Sequence, residues 1–439
     1  MSTWRNALYS GSGQVGALAV GLVMSVVLAR WLGPEQRGIY AIIVASVAVL
    51  TAFANLGLEP AFVYLAGKRR YRVEELAGHA LWLALIIVAA VAAIGALVPT
   101  AVYSAVLRGL NRSEIWIVLI LMVPSLLRSF VNGILLGLDR IKLLVVVSTV
   151  TLVLDLVLLL VLVVGMGLGI RGVIIQLLVS GFAAALVSLY ILIRSVGVVM
   201  RPNPALVKDA LAYGLRIYPG YIGYNALNRV DLYMVNFFAG TAAAGVYAVA
   251  VNMAEKLWII DGAFGQAAMP KVLARETGPA TDLTGRAFRA SWTVVAFAAA
   301  AAALVAPWLI PFLYGGEFQG AVLAFVLLLP GMVCLSSRVI SPFFSLHLGR
   351  PEIPTMYGLG VGLLSVPIYY VATRNFGYTG AAAATSIVYA VLAAVTLTLF
   401  VRMTGQTVRD VVVPTKHDFL GVPMIAGVAR RWKGAIVDV

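Results

Sequence analysis

Apolar runs of about twenty residues follow one another along the whole chain, and no polar stretch between them is long enough to make a separate soluble domain. Such a run forms a helix that crosses the roughly 30 Å hydrocarbon core of a bilayer at 1.5 Å per residue. Twelve are bounded by charged or Gly/Pro-rich breaks, near 6–30, 38–66, 76–98, 115–136, 143–165, 170–194, 210–238, 242–268, 288–314, 320–346, 355–373 and 378–402. Composition agrees: 62% of the 439 residues are hydrophobic and 11% charged, against about 45–50% and 25% in soluble domains. The expected fold class is all-α integral membrane, with twelve transmembrane helices, here called spans 1 to 12.

Several function classes fall away at once. The first run, Asn6 to Arg30, is too long for a cleavable signal segment. The single cysteine, Cys334, forms no internal disulfide, and His79, His347 and His417 lack metal-ligand spacing. No metal or cofactor is expected. No Ser/His/Asp set or phosphate-binding loop appears, and the one sizeable outer loop, Pro99 to Glu114, offers "RGLNRSE" without a pair of carboxylates. The sequence therefore reads as a non-enzyme.

The net charge of +14 reflects topology. Of the 32 Lys and Arg residues, 21 fall at the N-terminus, in even-numbered loops or in the tail, and 6 in odd-numbered loops. The positive-inside rule then places both termini in the cytoplasm. "GKRRYRVEE" (Gly67 to Glu75) and "RRWK" (Arg430 to Lys433) face anionic phospholipids of the inner leaflet, each base contributing about 1 kcal/mol near the surface. No nucleic-acid partner is needed. Five bases remain inside spans: Arg128, Arg216, Arg229, Lys256 and Arg338.

The two halves repeat. "LGPEQRGIYAI" (Leu32 to Ile42) resembles "AGTAAAGVYAV" (Ala239 to Val249): Gly33, Gly38 and Tyr40 pair with Gly240, Gly245 and Tyr247. "GIRG" (Gly169 to Gly172) pairs with "GYTG" (Gly377 to Gly380), and Arg128 with Arg338. An even number of spans per repeat gives parallel repeats about an axis along the membrane normal, with a cavity between them. The expected organisation is a six-helix lobe at 1–194, a linker at 195–209, a second lobe at 210–402 and a cytoplasmic interfacial tail at 403–439. Arg128 and Arg338 are expected to face each other across the cavity.

Span 7 carries the feature hardest to reconcile with lipid. "YNALNRVDLYMVNFFAG" (Tyr224 to Gly240) holds Arg229 and Asp231, and an Arg or Asp at mid-membrane costs roughly 2.5–3.5 kcal/mol on insertion scales. On a continuous helical wheel Tyr218, Tyr221, Asn225, Asn228, Arg229 and Asn236 occupy about 100° of one face. Such a stripe suits a hydrated cavity presenting donors to sugar hydroxyls and phosphate oxygens; the alternative is polar glue between helices. Asp231 lies off the stripe. With Asp155 and Glu255 it reads either as a partner in an internal ion pair or as a coupling carboxylate.

"LARWLGPEQRGIYAI" followed by "ANLGLEPAFVYLAGK" (Ala54 to Lys68) resembles the N-terminal signature of bacterial polysaccharide flippases. These form the polysaccharide-transport branch of the multidrug/oligosaccharidyl-lipid/polysaccharide (MOP) exporter superfamily. "NRVDLYMVNFFAGTAAAGVYAVAVNM" (Asn228 to Met253) resembles its second-half signature. The resemblance implies two pseudo-symmetric six-helix lobes in a V, alternating access in the bacterial cytoplasmic membrane, and no catalysis. The implied substrate is a polyprenyl-pyrophosphate-linked oligosaccharide, with polysaccharide polymerase or assembly proteins as further partners. Arg128, Arg229, Lys256 and Arg338 fit the basic cavity of that family, with Tyr218, Tyr221, Asn225 and Asn228 as further substrate contacts.

Rival readings are a drug or metabolite exporter of the same superfamily, whose cavity for cations should be net acidic, a non-transporting scaffold, and a membrane glycosyltransferase or polymerase.

Overall fold

The computed structural model describes residues 2–97, 108–227, 229–350, 352–415 and 418, with side chains for all of these except 2–15, 141, 220, 221 and 223–227. Every regular element among the described residues is helical. Spans 3, 4, 6 and 9 are the single helices Val73–Leu97, Arg112–Gly137, Gly169–Val196 and Thr277–Tyr314. Span 5 is Ile141–Leu159 prolonged by a π turn, and span 10 is Gly320–Leu335 prolonged by a 3-10 turn at Ser336–Ile340 and a π turn at Phe343–His347.

Elsewhere two spans share one helical stretch. Ser2–Ala54, Val230–Ala254 and Glu352–Thr404 each bend at a glycine with non-helical backbone: Gly33 (φ 68°, ψ 177°), Gly240 (φ 84°, ψ 177°) and Gly377 (φ 59°, ψ −142°). A side chain is strained at such angles, which explains the glycines. Among the described residues nine helical stretches are long and apolar enough to cross a membrane; dividing these three at their glycines, with Pro204–Leu227 completing span 7, gives the twelve expected spans.

The repeat is realised in the backbone. Gly169 and Gly377 have φ of 54° and 59°, and Gly172 and Gly380 each lie against a carbonyl, of Leu162 and Ala372 respectively. The lobes cross with the same symmetry: a Cβ on Gly38 would collide with the Thr241 carbonyl oxygen, and a Cβ on Gly245 with that of Pro34. Pro34 opens span 2 just as Thr241 opens span 8, so the two contacts are one contact repeated about the pseudo-twofold axis.

Two main cores form, one mostly in each lobe, and each takes in a few residues of the other lobe, such as Ile42 and Leu206. Leu58, Phe62, Leu126 and Phe130 anchor the N-terminal one, with the Phe62 and Phe130 rings 5.4 Å apart. Tyr247, Phe325, Leu328 and Tyr369 anchor the C-terminal one. In lipid the hydrophobic effect does not drive helices together, so close backbone approach through small residues carries more of the association. Alanines such as Ala244, Ala321, Ala381 and Ala384 accordingly fill this core. Trp308, Phe312, Leu363 and Phe376 are 71–74% exposed, as befits a lipid-facing surface.

Three local expectations change. Span 2 is interrupted between Ala54 and Leu58, where Leu56 and Gly57 take φ of 51° and 72°. Gly57 lies against the backbone of Gly214 in span 7, a second touching point between the lobes. The linker is shorter than 195–209, because span 6 runs to Val196 and span 7 starts with the helix Pro204–Leu227. Asp209 then lies on that helix, bridged by Arg70 at 2.9 Å and by the Tyr71 hydroxyl at 2.7 Å. That hydrogen bond to the Asp209 carboxylate holds the Tyr71 proton and raises its pKa above the ordinary phenol value.

The start of the tail returns to the C-terminal lobe. Thr407 and Asp410 cap the short helix Val408–Val412, and the Arg289 guanidinium grips the Asp418 carboxylate at 2.7 and 2.8 Å. The apolar stretch Phe419 to Ala429, expected to be interfacial, lies outside the described residues.

Two outcomes are expected. Gly38→Val or Gly245→Val puts a branched side chain into a carbonyl, a backbone overlap that costs at least the 1–3 kcal/mol typical of overpacking. Thermal unfolding of the detergent-solubilised protein should fall accordingly, while Gly16→Val, where a Cβ meets nothing within 4 Å, leaves it unchanged. Asp418→Ala strands the buried Arg289 charge and should lower stability by about 3–5 kcal/mol, read in the same melt.

Candidate functional site

The lobes enclose a central cavity of about 290 Å³ whose walls come from spans 1, 2, 7 and 8. Two walls are built from broken helices. In span 7, Pro204–Leu227 stops and Val230–Ala254 begins, with Arg229 (φ −140°, ψ −12°) as the capping residue. In span 8 a 3-10 turn, Glu255–Leu257, separates Val230–Ala254 from Trp258–Leu273. Irregular backbone at membrane depth is tolerated where it lines a cavity; these breaks place four charged residues there, and Arg37 of span 2 makes a fifth.

Three are bases, Arg37, Arg229 and Lys256, and two are acids, Asp231 and Glu255. Arg229 pairs with Glu255 at 3.3 Å. Asp231 is buried, accepting from the Tyr247 hydroxyl at 2.7 Å and from the Leu232 N–H at 2.7 Å. Arg37 is 4% exposed; it donates to the Ser25 hydroxyl at 3.4 Å and stands 4.9 Å from the Tyr40 ring centre, while its Nε has no partner. Among the described residues neither Arg37 nor Lys256 has a carboxylate within 4 Å. The Lys256 amine faces span 1 at Gly21. Fully ionised, the cavity carries one net positive charge. The N-terminus of Val230–Ala254 adds its own partial positive charge at the same place.

The sequence-level candidates therefore divide. Arg229, Lys256, Asp231 and Glu255 meet at the central cavity. Arg128 and Arg338, expected to face each other across it, line it nowhere. Arg128 in span 4 reaches Ser148 of span 5 at 3.5 Å, beside Asp155, which accepts from Gln176. Arg338 lines a different cavity, of about 490 Å³, between spans 2, 7, 10, 11 and 12. Tyr218 donates to the Phe53 carbonyl and so closes the gap beside Gly57. Tyr221, Asn225 and Asn228 lie outside the residues whose side chains are described. Because Arg229 caps a new helix, the single wheel drawn through span 7 does not hold; Asn236 is buried and donates to the Arg108 carbonyl at 2.8 Å. Asp155 and Asp231 were open to two readings, ion-pair partner or coupling carboxylate; neither has a base within 4 Å among the described residues, and both accept hydrogen bonds from neutral groups.

In the sequence Arg37 falls between the runs 6–30 and 38–66 and reads as part of the first outer loop. Its signal lay in the repeat: Gly33 and Gly240 mark the starts of spans 2 and 8, which puts Arg37 a full turn inside the membrane helix.

A family model described as "Polysaccharide biosynthesis protein" matches residues 3–271, more than half of the sequence. The chain belongs to the polysaccharide biosynthesis protein family. No curated protein matches it. Among solved structures it is similar to the lipid II flippase MurJ in an inward closed conformation, with a TM-score of 0.73 at 14% identity over 92% of this chain and 88% of that one. It is also similar to an inward-facing multidrug resistance MATE transporter of the MOP superfamily, with a TM-score of 0.69 at 17% identity over 88% and 94%. A third is a MOP transporter from Pyrococcus furiosus whose binding pocket has reverse polarity, with a TM-score of 0.57 at 17% identity over 91% and 94%. The family thus meets the expectation of a polysaccharide biosynthesis protein, and the likeness to these structures meets the expected fold.

Tyr247→Phe should leave the buried Asp231 Oδ2 without its hydroxyl donor and lower stability by about 1–3 kcal/mol. A melt of the purified variant checks this. Tyr40→Phe, at the repeat-equivalent position, should cost less because that ring serves Arg37 through its face.

Proposed function

We propose that this protein is a flippase for lipid-linked oligosaccharides, carrying a polyprenyl-pyrophosphate head group and its glycan through the central cavity by alternating access. The observation that carries this reading is the charge of that cavity: two cations, Arg37 and Lys256, without carboxylate partners, beside the N-terminus of a broken helix. A site built this way attracts a multivalent anion, since helix N-termini and unpaired bases both favour negative charge. Arg229 is released to the substrate when Glu255 moves away or takes a proton. Asn252, whose Oδ1 is buried without a partner, offers a polar group to sugar hydroxyls on the same wall.

A cavity for organic cations would carry the opposite balance, which is the argument against the drug-exporter reading. Membership of the polysaccharide biosynthesis family supports a glycan-bearing substrate, and the absence of any catalytic constellation from the sequence favours transport over synthesis. The charge asymmetry of the loops supports residence in the bacterial cytoplasmic membrane with both termini in the cytoplasm and basic loops on anionic phospholipid. Asp155, Asp231 and Glu255 are the carboxylates available for coupling, and a polysaccharide polymerase is the natural partner on the outer face.

Translocation is tested in cells whose only flippase is this protein, at matched membrane abundance. Arg37→Gln and Arg229→Gln should each lower export about ten- to a hundredfold, the effect of losing one charge-assisted hydrogen bond. Arg128→Gln, away from the cavity, should export normally. Full export by both cavity variants would overturn the anionic-substrate reading.

A further inference from the structure

The cavity that holds Arg338 has a character of its own. Its lining mixes apolar side chains, among them Pro60 of span 2, Ile217 of span 7 and Leu392 of span 12, with polar groups from spans 10, 11 and 12. Its volume of about 490 Å³ lies in the range of small-molecule sites, which are typically apolar with a few fixed polar groups. Ser341 and Tyr357 satisfy each other and Thr396 bonds the Leu392 carbonyl, but two polar groups lack partners. Arg338 Nη1 and Ser337 Oγ are both buried without a hydrogen-bond partner, and Ser337 is 1% exposed. The other face of the guanidinium rests on the Trp258 ring, 5.4 Å from its centre.

No carboxylate stands within 4 Å of Arg338 among the described residues. Asp261 of span 8, which feels the Arg338 charge, accepts from the Ser291 hydroxyl at 2.6 Å on Oδ1, leaves Oδ2 without a partner, and does not line the cavity. Both Ser337 and Arg338 ride on the 3-10 turn Ser336–Ile340, and both line the cavity. A half-buried guanidinium with its Nη1 unpaired, beside a buried unpaired hydroxyl, at one end of a largely apolar pocket in the membrane calls for an anion bearing a hydrocarbon chain.

We propose that the cavity between spans 2, 7, 10, 11 and 12 is a second lipid site, separate from the central cavity. It takes a lipid phosphate on Arg338 and Ser337, with the chain along Pro60, Ile217 and Leu392. Pro60 belongs to the first repeat and the polar end to the second, so the bound lipid touches both lobes. The site rests only on the membrane reading of the chain and not on the transported substrate. Two lipids share the required chemistry, a phospholipid and a polyprenyl phosphate.

The test is native mass spectrometry of the full-length protein in detergent, titrated with phosphatidylglycerol, undecaprenyl monophosphate or, as a phosphate-free control, diacylglycerol. The wild-type protein should retain one phosphate-bearing lipid at least tenfold more tightly than diacylglycerol. Arg338→Gln should abolish that preference. Gly358→Leu fills the cavity from a position where a Cβ meets nothing within 4 Å, and should lower retention of the phosphate lipid at least tenfold without disturbing the backbone. It keeps the test open if Arg338→Gln is not monodisperse on gel filtration.

Preference for phosphatidylglycerol identifies a membrane phospholipid as the occupant, and preference for undecaprenyl monophosphate the carrier lipid; either supports the site. Equal retention of diacylglycerol, or wild-type retention by Gly358→Leu, would overturn it. Arg128→Gln, whose arginine lines neither cavity, should leave retention unchanged, and retention is read without transport, so failure of the transport reading and failure of this site are seen separately.

Discussion

The reciprocal approach of Gly38 to the Thr241 carbonyl and of Gly245 to the Pro34 carbonyl is the contact on which the rest of the structure depends. Two helices in lipid gain little by hiding apolar surface from an apolar solvent, so they associate where their backbones can come close. Here the close approach sits one turn beyond the bends at Gly33 and Gly240. Those bends set the direction in which spans 2 and 8 leave the crossing. Because the contact obeys the repeat, each lobe presents the same surface to the other. The walls of the central cavity, spans 1 and 2 against 7 and 8, follow from that crossing.

A second physical constraint explains where the charges are. A membrane helix that carries a base must turn it toward protein, water or a partner. Spans 7 and 8 do so by breaking: Arg229 caps a helix start, and Glu255 and Lys256 ride on a 3-10 turn. Span 10 repeats the device at Ser336–Ile340 and thereby presents Arg338 to a separate cavity. Span 4, whose Arg128 is the repeat equivalent, stays helical from Arg112 to Gly137 and sends its arginine to Ser148 instead. The pseudo-symmetry of sequence is thus kept in the backbone crossings and given up in the polar groups.

Much of the fold was legible in the sequence. Run length fixes spans, glycine positions fix bends, and the near-constant offset between halves fixes the repeat, all of which are local or periodic properties. The site was half legible. Arg229, Lys256, Asp231 and Glu255 were found because a charge inside an apolar run is conspicuous wherever it points. Arg37 was hidden by an error of four residues in the start of span 2. The grouping of Arg128 and Arg338 failed because equivalence by repeat says nothing about which surface a side chain reaches once one helix is broken and its counterpart is not.

By itself, then, the sequence determined the solvent this chain folds in, the number of its spans and the twofold plan of its lobes. Hydropathy and glycine spacing act residue by residue and need no partner to be read. Only the tertiary structure decided which charges share a cavity, which are neutralised by Glu255 or served by Tyr247, and which remain unpaired. Those outcomes depend on helix breaks and on the facing of distant helices, set by packing between residues some two hundred positions apart. A one-dimensional pattern does not encode that facing.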